Sequence, residues 1–138
     1  MNACLLLSGG IHMNKLISLV DGMDDRPPLI LIIEDEVMIL EMETLILERA
    51  GCRVCGFGSG EEALAAPTDV LREVRVALVD AVFGGVDAVE ALRRINPEIR
   101  TAIVTGMGFE PHPAVDRVIH LPFLAEDLVG HVRELLAN

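Results

Sequence analysis

From Leu29 onward the chain alternates between short apolar runs and longer mixed segments with helical periodicity. Leu29-Ile30-Leu31-Ile32-Ile33 is apolar throughout and β-branched on both faces, the signature of a strand covered on both sides. A helix is predicted over about 36–50, where Met38, Met42 and Leu45 recur at helical spacing beside Ile39, Ile46 and Ala50, with Gly51 as its C-cap. Arg53 to Phe57 reads as the second strand. Ser59-Gly60-Glu61-Glu62 forms a capping box that opens a short helix stopped by Pro67. Arg75 to Val79 is the third strand and runs directly into Asp80. After a Gly84-Gly85 loop, a helix over about 87–95 ends at Asn96-Pro97. Thr101 to Thr105 and Arg117 to His120 give strands four and five. Leu124, Leu128, Val132 and Leu135 mark a last amphipathic helix, with Glu126 and Asp127 in its first turn.

Strands alternating with helices imply a parallel sheet with helices on both faces. Ligands of such sheets gather at the carboxyl ends of the strands. That rule selects Glu34 and Asp35 after strand one, Asp80 after strand three, Thr105 ending strand four and Leu121 after strand five. Residues 1–28 stand apart, with Gly9-Gly10, Gly22, Pro27-Pro28 and only a weak helical pattern from Ile11 to Val20. They are expected to be a disordered extension or an over-long start, Met13 and Met23 offering alternative starts; an ordered arm packed on a partner is the other reading. Residues 29–138 are expected to form the domain.

At 138 residues the chain fits one domain, and 51% hydrophobic composition excludes a disordered one. Tyr and Trp are absent and there are four Phe, so the core must be aliphatic. The net charge of -11, from 22 acids and 11 bases, argues against binding nucleic acid or anionic lipid and leaves Mg²⁺ or a basic protein face as partners. Cys52 and Cys55 form a C-x-x-C, but three residues apart on a strand they point to opposite faces, and no second Cys/His pair completes a zinc site. They read as two reduced packing cysteines of a cytosolic protein. No apolar run approaches membrane-spanning length, and no basic residue precedes Leu5-Leu6-Leu7 as in a signal peptide. His12, His112, His120 and His131 show no ligand spacing. Glu36, Glu41, Glu43 and Glu48 are expected on the solvated face of the first helix, and Met107 and Phe109 as lids on the core.

Glu34, Asp35 and Asp80 would meet at one sheet edge. Three close carboxylates repel and hold one another's protons unless a cation joins them. Mg²⁺ is a hard ion that prefers oxygen ligands and can also bind a phosphate, so the cluster points to phosphoryl transfer onto an Asp carboxylate. Thr105 is placed to hydrogen-bond the acquired phosphoryl oxygens.

Ile32-Ile33-Glu34-Asp35-Glu36 resembles the opening of a response-regulator receiver domain, and Ala77-Leu78-Val79-Asp80 its third strand with the phosphoacceptor. Val104-Thr105-Gly106 resembles the fourth strand with its hydroxyl residue, and Leu121-Pro122-Phe123 the Lys-Pro-Phe segment closing the fifth. The resemblance covers about residues 29–137. It implies a flavodoxin-like α/β fold, a doubly wound five-stranded parallel sheet of order 2-1-3-4-5. It further implies a signalling role in which Asp80 accepts a phosphoryl group from a histidine kinase or phosphotransfer protein. Glu34, Asp35, Asp80 and the backbone carbonyl of Val82 would hold Mg²⁺, and Thr105 would contact the phosphoryl group.

Three departures bear on function. Leu121 stands where the family has a lysine that contacts the phosphoryl oxygens; the loss of one charge-assisted hydrogen bond is worth roughly 1.5–3 kcal/mol. His120 and Arg117 are the nearest candidates to compensate. Gly84 and Ala88 stand where proline and glycine are usual, so the loop after Asp80 is expected to be more mobile. Only fifteen residues separate Thr105 from Leu121, and those from Gly106 to Val115 carry two glycines and two prolines, so the fourth helix should be reduced or replaced by a loop. Val118 occupies the aromatic switch position. This pattern resembles a branch of single-domain receivers that act as phosphate shuttles or as diffusible partners of a kinase. The rival reading is a pseudo-receiver, an adaptor that keeps the fold and works without phosphorylation. A homodimer is compatible with either. No enzyme activity is expected: an Asp-nucleophile phosphatase would need a second Asp where Val82 stands.

Overall fold

The computed structural model describes residues 3–4 and 26–138, apart from Phe83. Five strands form the parallel part of the sheet: β1 (Leu29–Ile33), β2 (Arg53–Phe57), β3 (Val76–Asp80), β4 (Arg100–Thr105) and β5 (Arg117–His120). Their spatial order is β2-β1-β3-β4-β5, every adjacent pair parallel. This is the 2-1-3-4-5 order that the resemblance implies. A two-residue segment, Ala3–Cys4, pairs antiparallel with β2 and makes the sheet six-stranded. That pairing lies within the extension assigned to residues 1–28; the expectation of disorder for 5–25 lies outside the described residues.

Each side of the sheet carries its own core, as the two-sided apolar strands require. On one side Ile30, Ile32, Val54, Leu78 and Ile119 meet Leu47 of α1 (Val37–Arg49), its C-cap Ala50, and Leu128, Val132 and Leu135 of α5 (Ala125–Ala137). On the other, Leu31, Cys55, Val79 and Ile103 meet α2 (Gly60–Leu64), α3 (Thr68–Glu73) and α4 (Gly85–Ile95) through Ala63, Leu71, Val89 and Leu92. Cys52 and Cys55 fall in opposite cores, which rules out a shared metal. Among the described residues no helix is long and apolar enough to cross a membrane.

The termini of the helices follow local chemistry. The Cys52 N–H donates to the Leu47 carbonyl (3.0 Å) and the Gly51 N–H to the Glu48 carbonyl (3.1 Å), a Schellman ending made possible by Gly51 at φ 101°. Ser59 caps α2 by accepting from the Glu62 N–H (3.1 Å), while the Glu62 carboxylate reaches the Gly58 N–H (3.1 Å). Pro67 stops α2 and also starts α3, a helix that the sequence expectation did not contain. Its carboxyl end is held by Asn96, whose amide donates to the carbonyls of Leu71 (2.9 Å) and Val74 (2.8 Å).

Residues 106–116 contain no helix, as their glycines and prolines require. Arg93 fixes the segment instead, donating to the Ala114 carbonyl (2.8 Å) and to Asp116 (2.6 Å), which also accepts from the Thr101 N–H (2.8 Å). Phe109 packs on the core as expected, but Met107 does not cover it: its side chain is 74% exposed.

The phase of α1 differs from expectation. Met38, Met42 and Leu45 face solvent, at 80%, 40% and 49% exposure, while Leu40, Glu43, Leu47 and Ala50 face the sheet. Glu43 is therefore a buried acid, not part of a solvated face. Both stripes have helical spacing; the path from β1 into the helix decides between them.

Candidate cation and phosphoacceptor site

β1 runs into Glu34 and Asp35, and its neighbour β3 ends at Asp80, with Ile33 in register with Val79. The turn after β1 is fixed by the Glu34 N–H, which donates to the Phe57 carbonyl of β2 (3.0 Å). One carboxylate oxygen from each of Glu34, Asp35 and Asp80 lies within 4.8 Å of the others. Glu34 is buried, Asp80 half-buried and Asp35 exposed, so the cluster opens outward through the two aspartates.

Backbone N–H groups orient two of the acids: Glu36 donates to Glu34 Oε2 (3.0 Å) and Val82 to Asp80 Oδ1 (3.2 Å). These bonds do not offset the charge. Burial pushes the Glu34 carboxyl up to about 7, against the Glu36 N–H and reinforced by repulsion from Asp80. Burial also raises Asp80 above the usual carboxylate range, against the Val82 N–H, with Asp35 adding to the rise. Oxygen donors carrying unneutralised charge fit a hard divalent cation.

Beside the cluster is a cleft of ≈ 180 Å³ lined by Asp35, Asp80, Gly58, Ser59, Val82, Gly84 and Gly85. The two loop glycines have definite geometric reasons. Gly84 sits at φ 82°, and a β-carbon on Gly85 would come within 2.5 Å of the Asp80 carbonyl oxygen. Phe83 lies outside the described residues.

Thr105 ends β4 one residue beyond Val104, the register partner of Asp80. Its hydroxyl accepts from the Met107 N–H (3.0 Å) and donates to the Met107 carbonyl (3.1 Å), so it is held by the following loop and does not line the cleft. Leu121 donates its N–H to the Thr105 carbonyl (2.8 Å) and packs its side chain on the α1/α5 core. Neither candidate replaces the missing cation: Arg117 is paired with Glu134 (2.5 Å) on α5, His120 is exposed, and among the described residues no basic one lines the cleft. The chain's one lysine, Lys15, lies outside the described residues.

Sequence reasoning missed Glu43. It is 1% exposed, one carboxylate oxygen has no hydrogen-bond partner, and burial pushes it up to about 8, with Glu34 and Asp80 adding to the rise. The spacing Leu40, Glu43, Leu47, Ala50 was the signal that could have found it.

No protein-family model and no curated protein sequence matches the chain. Solved structures do match in fold. A response regulator from Thermotoga maritima superposes with a TM-score of 0.71 at 18% identity, covering 81% of this chain and 99% of that one. A CheY-like response regulator receiver domain protein from Methanospirillum hungatei JF-1 gives 0.67 at 24% identity, covering 80% and 94%. The response regulator TrrA of Thermotoga maritima, solved in complex with Mg(2+)-BeF, gives 0.68 at 20% identity, covering 78% and 98%. In strand order and in flanking helices, the chain has the fold of response-regulator receiver domains.

Proposed function

We propose that the chain is a two-component signalling receiver in which Asp80 accepts a phosphoryl group from the phosphohistidine of a histidine kinase or phosphotransfer protein. The observation that carries this reading is the convergence of Glu34, Asp35 and Asp80 within 4.8 Å at the carboxyl edge of the sheet. Asp80 is the nucleophile: a carboxylate oxygen attacks phosphorus, the phosphorus–nitrogen bond breaks, and the imidazole leaves. Glu34 and Asp35, with Asp80 and the Val82 carbonyl, would hold Mg²⁺, which when bound neutralises charge on the transferring group. The Val82 N–H steadies Asp80 through Oδ1, leaving the other oxygen to react. Thr105 contacts the phosphoryl group once its hydroxyl leaves Met107, which couples phosphorylation to the 106–116 segment. Val37, Met38, Met42 and Leu45 form an exposed apolar stripe on α1 beside the site, suited to a kinase helix laid against it. The protein acts by contact with other proteins in the cytoplasm.

Leu121 supports a second reading, a receiver fold used as an adaptor without phosphorylation. The two readings separate when the full chain is incubated with Mg²⁺ and a small phosphodonor and its intact mass is followed. A gain of about 80 Da that needs the metal and disappears in Asp80→Asn supports the phosphoacceptor. An unchanged mass with donor in large excess supports the adaptor.

A further inference from the structure

α1 and α5 lie side by side on one face of the sheet, with a groove of ≈ 380 Å³ between them. Leu45, Ile46 and Arg49 line one wall, Glu126, Val129 and Arg133 the other. The surface around it gathers apolar side chains. Among the described residues the exposed large ones are Val37, Met38, Met42 and Leu45 on α1 and Leu124 at the N-cap of α5, with Val82 and Met107 elsewhere. Such clustering marks a contact surface. The charges of the groove lack partners. Arg26, Arg53, Arg93, Arg100 and Arg117 are each paired with an acid. Arg49, Arg133 and Glu126 form no ion pair among the described residues, and Glu134, next to Arg133, is taken by Arg117.

The placement of these charges selects the occupant. Both helices follow parallel strands and run the same way. Glu126 is in the first turn of α5 and Arg49 in the last turn of α1, so they stand on opposite walls toward opposite ends. A two-fold axis through the groove exchanges the two positions. Glu126 of a second copy arrives at Arg49, and Arg49 of that copy at Glu126, as in any isologous contact. A partner of one sign would leave either the arginines or Glu126 facing like charge. We propose that this groove is the interface of a homodimer, with Leu45 and Val129 at its centre and reciprocal Arg49–Glu126 pairs at its ends. The net charge of -11 repels the copies overall, but salt confines that repulsion to about 8 Å at physiological ionic strength, and opposed side chains in contact are screened far less. The groove takes the half of α1 farther from Glu34 and Asp35, and Val37 and Met38 do not line it, so the contact stands apart from the reading of Asp80.

The test is sedimentation equilibrium of the full chain. The expected mass is twice 14.9 kDa at the upper end of a series reaching about 500 µM. Leu45→Asp, Arg49→Glu and Glu126→Arg should each weaken the dimer by about tenfold or more, and all three side chains are exposed, so the fold is kept. Glu126→Arg is the sharpest of these, because it lowers the net negative charge and should still weaken association. Arg94→Glu, on an exposed face of α4 outside the groove, changes the net charge as Arg49→Glu does and should leave the dimer intact. Combining Arg49→Glu with Glu126→Arg reverses both members of each pair and should bring association back to within about threefold of the wild type. A monomer throughout the series, a dimer indifferent to Leu45→Asp and to both single reversals, equal weakening by Arg94→Glu, or a double reversal no better than the singles would each overturn the proposal.

Discussion

A carboxylic acid at position 43 sits where the fold would accept leucine. Its ordinary value is 4.5 and the folded protein holds it at about 8, so the native state binds a proton that the unfolded chain releases. Stability from this group is complete below the unfolded value and is lost as pH rises through about 8. The full loss is on the order of a few kcal/mol, at roughly 1.4 kcal/mol for each pKa unit. The melting temperature of the metal-free protein should therefore fall between about pH 5 and pH 8. Glu43→Gln should reduce that slope, Glu34 and Asp80 supplying the remainder, and stabilise the protein at the alkaline end; an unchanged slope would show that Glu43 does not contribute to it. The unpartnered Oε2 means that Glu43→Leu should stabilise as well. Leu121 offers the converse test. Leu121→Lys should restore a cation and raise phosphorylation by roughly tenfold or more, since one charge-assisted hydrogen bond is worth about 1.5–3 kcal/mol.

Arg93 illustrates how a segment without secondary structure is held. It ties α4 to the Ala114 carbonyl and to Asp116, and Asp116 ties the same stretch to Thr101. Arg93→Ala should cost about 2 kcal/mol, read from denaturant midpoints, and speed hydrogen exchange across 106–116 more than in β4. The absence of a helix there was legible, because Gly106, Gly108, Pro111 and Pro113 forbid one. The bonds that replace it were not, because Arg93 and Asp116 are 23 residues apart. The strands were legible for a simple reason: Leu29–Ile33, and residues 76–79 before Asp80, are covered on both faces and show it as unbroken apolar runs. The orientation of α1 was not, since apolar residues surround it and two stripes satisfy the same period. The helix Thr68–Glu73 was hidden because Pro67 reads as a stop, while it serves equally well as a start.

At the scale of the molecule, two aliphatic cores hold a parallel sheet whose carboxyl edge collects negative charge that, among the described residues, no basic side chain of the cleft offsets. Glu34 and Asp80 both hold their protons above the usual range, so a divalent cation must displace protons to bind. Affinity for Mg²⁺, followed by titration calorimetry, should weaken as pH falls below about 7, where Glu34 keeps its proton. The acids that make the edge were legible because each directly follows a strand; the burial that shifts them depends on α1 and β2 folding over Glu34, which no local pattern encodes. The same convergence gives the account its sharpest test. Beryllofluoride, a mimic of an acyl phosphate's phosphoryl group, should give a bound fluorine NMR signal with the wild-type chain only when Mg²⁺ is present. That signal should be absent from Asp80→Asn and strongly reduced in Asp35→Asn. A bound signal that persists in Asp80→Asn, or none from the wild type at saturating reagent, would contradict Asp80 as the phosphoacceptor.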